Sequence, residues 1–395
     1  MSDRFKFIVV GRGMMGAAAA RHLSLESEGV AVIGPDEPTD PARHEGVFAS
    51  HYDEARITRT IDPDPVWAAL ANRSIARYRD LERESGIDFY HEVGNLIVGP
   101  KRGGRDPYIE RICEAAHRTG IAPQMLECTT LAERFPYFSF GAGQEGVHEA
   151  AGAGYVNPRQ MVRAQSCLAH REGATLIAET VVSVRDDIRG VAVRTAEGNT
   201  YYADRVLVAT GGFSIAKDLL PRPVDLKVYA RTVAFFEIPE ADLEAFAGMP
   251  SLIHHPDDPL DHIYLLPPVR YPDGKVYLKI GGDPDDLELT SEPEVRAWYR
   301  SGGRETTRRH LARIAAELVP GVAKATVTMG ACVTSFTPSG YPAIGYVDEE
   351  RIAVLTGGCG AAAKSSDEIG RLGARLLLDG ALSPEDQAVF APRVQ

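Results

Sequence analysis

Residues 5–36 read FKFIVVGRGMMGAAAARHLSLESEGVAVIGPD, and the fold is decided there. Phe5–Val10 is a short apolar run, followed at once by Gly11-Arg12-Gly13-Met14-Met15-Gly16. Ala17–Leu25 then reads as a helix and Val30–Ile33 as a second buried strand. Strand, glycine turn, helix, strand is one βαβ unit. In such a unit Gly11 permits the tight turn, Gly13 lets the backbone approach a pyrophosphate, and Gly16 lets the helix lie against the strand. The first turn of the helix offers unpaired N–H groups to an anion. Asp36, 20 residues beyond Gly16, is expected at the end of the second strand, where it would accept hydrogen bonds from a ribose. The pattern predicts a dinucleotide site.

Composition sets the class. The 395 residues are 44% hydrophobic and 25% charged, enough for about two to three domain-sized units or one large α/β enzyme. Acidic residues outnumber basic ones by 55 to 43, a net charge of −12 that repels nucleic acid and anionic lipid. No apolar run reaches the roughly 18 residues of a membrane span, and Phe5–Val10 is too short for a signal-peptide core. The five cysteines form no CxxC pair, which argues against a disulfide framework or a thiolate zinc site and for a reducing, cytoplasmic compartment. The expectation is a cytoplasmic enzyme with a small-molecule partner and neither nucleic acid nor membrane, as a monomer or small homo-oligomer.

Beyond residue 60 the βαβ pattern does not repeat. Residues 66–85 and Arg159–Glu172 read as helices, Val191–Thr195 and Thr200–Ala203 as a hairpin, and Val206–Thr210 as a buried strand ending at Gly211. From Lys227 to Gly282 the chain is β-rich, Glu292–Val319 reads as helix, and Arg351–Asp379 as strand, glycine-rich loop and helix. The fold class expected is α/β: a Rossmann-type domain in several segments (1–85, 145–215 and 325–395) with an α+β substrate domain dominated by an antiparallel sheet (86–144 and 216–324). A ligand would bind where the two meet.

Four clusters bear chemistry. In SHYDEARITR (50–59), Arg56 and Arg59 are three apart and would share one face of a helical turn, able to grip a carboxylate or to form a solvated basic patch with Asp53 and Glu54. In YLKIGGD (277–283), Lys279 alternates onto the face of Tyr277, a position commonly solvent-facing. Cys332 in GACVTSFT, read by itself, is more often a small buried hydrophobe than a reactive group. In GGCGAAAKSSDE (357–368), Ser365 and Glu368 match a capping box, so Lys364 stands where a helix begins. A cation there opposes the helix dipole and either wants an anion nearby, a ligand carboxylate being one candidate, or snorkels to the surface.

Together VVGRGMMG, SHYDEARITR, VLVATGGFS, LKVYARTVAFFE, YLKIGG, MGACVTSFT and TGGCGAAAKSS resemble the flavin amine oxidases around monomeric sarcosine oxidase and N-methyltryptophan oxidase, within the D-amino-acid oxidase superfamily. The resemblance runs nearly end to end. It implies FAD held by Gly11, Gly13, Met14, Met15, Gly16, Asp36, Ser50, Val182, Gly211, Gly358 and Gly360, with Cys332 matching the cysteine that bonds the flavin. It implies Arg56 beside the flavin, Lys279 as the lysine that activates O2, and Arg59 with Lys364 as the clamp for a substrate carboxylate. Tyr52 and Thr334 stand on the substrate side, where the family pattern has histidine and tyrosine. Asp283 replaces a histidine, and Ala361-Ala362-Ala363 replaces a bulky motif. The implied activity is FAD-dependent oxidation of a secondary amino acid with release of hydrogen peroxide, on a substrate larger than sarcosine or dicarboxylic, such as iminodiacetate. The competing expectations are a glycine or D-amino-acid oxidase type, a flavin dehydrogenase with another acceptor, an NAD-dependent dehydrogenase, and a flavin-binding protein without turnover.

Overall fold

The computed structural model describes residues 3–348 and 350–395, so the expected segments 1–85 and 325–395 each reach beyond it, at residues 1–2 and 349. Strand Arg4–Val10 lies at the centre of an eight-stranded sheet. It pairs in parallel with Val30–Ile33 on one side and with Thr200–Val208 on the other. Thr175–Ile177 and Ile352–Thr356 extend the parallel order outward. Val30–Ile33, Ile352–Thr356 and the last residues of Arg4–Val10 and Thr200–Val208 are buried Val/Ile/Leu-rich runs, because both faces are covered there. Helix Met14–Ser24 crosses one face against helix Ser366–Asp379. A Cβ on Gly370 would stand 2.5 Å from the Ala18 Cβ and 2.8 Å from the Met15 carbonyl, so the two helices meet backbone to backbone. The sequence divides 200–210 into two strands. The structure makes Thr200–Val208 one strand, whose first half pairs with the hairpin arm Gly190–Thr195 and whose second half pairs with Ile352–Thr356.

The second sheet has nine strands and is almost wholly antiparallel. Lys227–Glu237 is flanked by Val276–Gly281 and Val327–Phe336, and the sheet runs on through Ile263–Arg270, Ser251–His254, Asn95–Pro100, Gln144–Glu149 and Gln124–Glu127. Helix Glu305–Leu318 buries Leu311, Ile314 and Leu318 against its back. The single helix expected over 292–319 is two helices, because Gly302 and Gly303 (φ 73° and 115°) take left-handed conformations that break the first one. Two sheet boundaries depart from the expected segments. Val327–Phe336 and Gln144–Glu149 both belong to this second sheet, the former through ten paired positions with Lys227–Glu237. Cys332 therefore reaches the site from the antiparallel sheet.

A small three-stranded sheet of Arg56–Thr58, Gly154–Val156 and Tyr90–His91 lies beside the site. Arg56 is thus on a strand, which corrects the helical turn expected over 56–59. Helix Pro65–Ser85 follows, started by Asp64, whose carboxylate accepts the N–H groups of Val66 and Trp67, and stopped by Gly86 at φ 71°. Among the described residues no helix is long and apolar enough to cross a membrane.

The close helix crossing gives a test. Gly370→Val forces a side chain into the space of Ala18 and Met15, and should lower the unfolding free energy by about 1–3 kcal/mol in urea denaturation.

Candidate active site

One cavity of about 1020 Å³ lies between the two large sheets. Its first end is built by the glycine turn. Gly11 has φ 104°, and a Cβ there would stand 2.4 Å from the Ala209 carbonyl oxygen. A Cβ on Gly16 would stand 1.9 Å from the Gly11 carbonyl oxygen, so only glycine allows the helix to start so close to the strand. Gly13 differs: its nearest neighbour would be His51 Nδ1 at 4.0 Å, which leaves its backbone facing open space where a phosphate can approach. Val10 to Met15, Ile33 to Pro35, Thr180 to Val182 and Ala209 to Phe213 continue this wall, and the elongated cradle suits a dinucleotide. Met14, Met15, Ser50, Val182, Gly211, Gly358 and Gly360 all line it.

Asp36 does not. The second strand ends at Ile33, and Gly34-Pro35 carries the chain away, so the Asp36 carboxylate is 73% exposed and 2.9 Å from Arg12 Nη1. The place next to the strand end belongs to Gly34, where a Cβ would stand 2.8 Å from the Arg12 nitrogen. Arg12 itself lines the cavity, and its Nε is buried without a partner among the described residues.

The far end is governed by two three-charge groups, each an aspartate and an arginine of residues 53–62 joined by a distant lysine. In the first, Asp53 is ion-paired with Arg56 three residues on and with Lys279 Nζ at 2.6 Å, and accepts the Tyr271 hydroxyl at 2.7 Å. Burial would raise the Asp53 carboxyl, but Arg56 and Lys279 outweigh it and hold it well below the carboxylate range. Lys279 is 1% exposed, not solvent-facing, and burial pulls its ammonium down to about 8 against the attraction of Asp53. It also donates to the Ala55 carbonyl and is not among the residues lining the cavity. Its charge acts there from behind Arg56, which does line it and whose Nη2 lies 3.5 Å from the Cys332 sulfur. Cys332 is a free, partly buried thiol on the cavity wall.

In the second group, Asp62 Oδ2 is 3.1 Å from both Arg59 Nη2 and Lys364 Nζ, and Asp62 Oδ1 accepts the Asp64 N–H. Arg59 and Lys364 line the cavity while Asp62 stands behind them. Burial lowers the Lys364 ammonium from its ordinary value, opposed by Asp62. Among the described residues Arg59 Nη1 is buried with no acceptor, while the Tyr108 hydroxyl interacts with the same guanidinium. The anion that Lys364 needs is therefore supplied within the chain by Asp62, a residue the sequence reading passed over. The capping box does not form: Ser365 Oγ is buried without a partner among the described residues, and Glu368 is taken by Arg77 at 2.6 Å and Arg371 at 2.8 Å.

Around these groups the walls are mixed. Tyr52, Thr334 and Ala361–Ala363 line the cavity, and Thr334 Oγ1 accepts Arg231 Nε at 3.0 Å. Burial raises the Tyr52 hydroxyl, so it stays a neutral phenol. Tyr108, His255 and His262, also unflagged by sequence, stack in a column with ring centroids 3.8 and 4.1 Å apart. Burial pushes His255 down to about 3, which keeps it neutral.

A family model described as FAD dependent oxidoreductase matches residues 6–376. The monomeric sarcosine oxidase of Streptomyces avermitilis is 34% identical over 217 residues, which is 54% of this chain and 53% of that one. The chain thus spans about half the length of this curated relative. NikD, an unusual amino acid oxidase essential for nikkomycin biosynthesis, superposes with a TM-score of 0.77 at 20% identity over 99% of this chain and 98% of its own. Iminodiacetate oxidase from Chelativorans sp. gives 0.75 at 20% identity over 98% and 99%. At such identity the two structures speak for the fold.

Breaking a buried group of charges leaves the others uncompensated. Asp53→Asn should cost about 3–5 kcal/mol of stability in chemical denaturation. Combining it with Lys279→Met should cost less than the sum of the two single changes, as a double-mutant cycle would reveal.

Proposed function

We propose, from the premise that the chain belongs to the FAD-dependent oxidoreductase family, that it oxidises the C–N bond of a secondary amino acid. The observation that carries this reading is the open Arg59 Nη1 beside Lys364, in the same cavity as the phosphate-accepting turn at Gly13. The glycine turn, Ser50, Val182, Gly211, Gly358 and Gly360 would hold FAD, with Arg12 and Gly34 rather than Asp36 at its far end. FAD, when bound, supplies the acceptor for the two electrons and hydrogen removed from the substrate.

The chain supplies orientation and field. Arg59 and Lys364 fix one end of the substrate through charge-assisted bonds to its carboxylate, and so decide which carbon is presented. Arg56, held by Asp53, keeps a positive charge on the wall beside Cys332. Overall, a secondary amino acid, O2 and water give an oxo acid, an amine and hydrogen peroxide. Ala361–Ala363 and Thr334 leave room beyond the clamp, which supports a substrate larger than sarcosine or one with a second carboxylate, of the iminodiacetate kind. One observation favours a second reading, a dehydrogenase with another acceptor: the Lys279 ammonium is turned onto Asp53 and Ala55, away from the cavity.

Peroxide assays with sarcosine, proline, glycine and iminodiacetate test these readings together. A clear preference for sarcosine would overturn the larger substrate, and turnover with an artificial dye but no peroxide would favour the dehydrogenase. Arg59→Ala should raise KM for carboxylated substrates about tenfold to a hundredfold, the worth of one hydrogen bond to a charged group. Acid precipitation should leave a yellow pellet if Cys332 bonds the flavin, and Cys332→Ser should then release the colour to the supernatant.

A further inference from the structure

Strand Val276–Gly281 ends in Gly282-Asp283-Pro284-Asp285-Asp286. Gly282 has φ 155°, and a Cβ there would stand 2.4 Å from the His262 carbonyl oxygen, so the chain turns off the sheet at a fixed point and brings Asp283 to the cavity wall. The three acids then separate in their partners. Asp285 is ion-paired with Arg304, and Asp286 lies 2.7 Å from Arg231 Nη2. Asp283 has no cation within ion-pair distance among the described residues. Its oxygens accept only the Thr232 N–H, at 3.2 and 3.3 Å. A half-buried carboxylate that faces a cavity with one weak backbone donor keeps lone pairs free for a donor on a ligand.

Its place in the cavity is defined by the sheet. Thr232 follows Arg231, which stands opposite Cys332 in the strand register, so Asp283 lies near the Cys332 wall. At the clamp the same cavity carries the opposite lack, a buried guanidinium nitrogen without an acceptor. An anion with free lone pairs and a cation with a free donor in one cavity are the complement of a zwitterion. We propose that Asp283 binds the cationic nitrogen of the substrate, accepting a charge-assisted hydrogen bond from its N–H while Arg59 and Lys364 hold the carboxylate. The proposal rests on the amino-acid reading of the cavity and adds to it the group that distinguishes an amino acid from a plain carboxylic acid.

The charged and titratable neighbours are Arg231 on strand Lys227–Glu237, Arg304 ahead of helix Glu305–Leu318, Asp285 on the same loop and Tyr264 on strand Ile263–Arg270. Burial, aided by Asp285, raises the Asp283 carboxyl to about 6 against the two arginines. The anion needed to hold an ammonium is present above that pH and lost below it, so amine affinity should fall as pH drops through about 6.

The test uses holoenzyme carrying Asp283→Asn and two probes. One is whichever of sarcosine, proline or iminodiacetate the unmodified enzyme turns over fastest. The other is propionate, a carboxylate without nitrogen, as a competitive inhibitor. The variant should raise KM for the amino acid about tenfold or more, lose the acid limb near pH 6 in kcat/KM, and change the propionate inhibition constant less than twofold. Asp283→Glu should restore part of the amino-acid affinity. If both probes weaken together, or the amino acid is unaffected, Asp283 has no such role. Arg59→Ala keeps the two questions apart: propionate inhibition that survives it sinks the carboxylate clamp, whatever Asp283 does.

Discussion

Buried cations need partners, and at the far end of this cavity one ten-residue stretch supplies them. Between Asp53 and Asp62 the chain forms two acid–arginine pairs three residues apart, and each acid also captures a lysine from a distant element. Asp53 takes Lys279 from the antiparallel sheet, and Asp62 takes Lys364 from the turn leading into a helix on the parallel sheet. A charge taken from water without a counter-ion costs several kcal/mol, so neither lysine could remain ionised inside without its aspartate. The stretch thereby ties the two sheets together at the floor of the cavity they enclose. Each group of two cations and one acid keeps a single net positive charge, so the cavity floor stays cationic although the chain as a whole is acidic.

The same pairing divides the cations by role. Arg56, Arg59 and Lys364 line the cavity, while Lys279, Asp53 and Asp62 stand behind them. The outer layer can meet a ligand, and the inner layer fixes where those charges point. Arg59 illustrates the outcome: one nitrogen is held by Asp62 and the other is left open. A guanidinium with one end tethered has lost most of its rotamer freedom before any ligand arrives, which lowers the cost of binding a carboxylate.

Local features were legible in the sequence, and features that depend on distant partners were not. The strand, glycine turn and helix of residues 4–24 follow from spacing alone, and the structure keeps them. Asp36 stands off the cavity because a count of 20 residues places a carboxylate without saying where the strand stops, and it stops at Ile33. The capping box at Ser365 failed because arginines from two helices hold Glu368 more strongly than a backbone N–H could. Arg56 lies on a strand because Gly154–Val156 is there to pair with it, 98 or more positions away, and no periodicity in three residues announces that. Asp62 carries the same lesson for the site. Its arginine is three residues away, but the lysine that gives it meaning lies 302 positions on. Motif resemblance could find Arg59 and Lys364, since they belong to quotable runs. Their counter-ion stands in no motif.

What the cavity selects follows from which of its polar groups carry charge. Tyr108, His255 and His262 form a stacked wall in which burial keeps the His255 imidazole neutral down to about pH 3. Tyr52 is likewise a neutral phenol. Neutral rings contribute contact area and hydrogen bonds but little long-range field. At the substrate end the field has a positive part from Arg56, Arg59 and Lys364 and a negative part from Asp283, a lining carboxylate with no ion-pair partner among the described residues. A ligand with charge of one sign only satisfies part of that pattern and leaves a buried group under-bonded. A ligand with both signs satisfies it from either end, and the apolar space at Ala361–Ala363 then sets how large its remaining substituent can be.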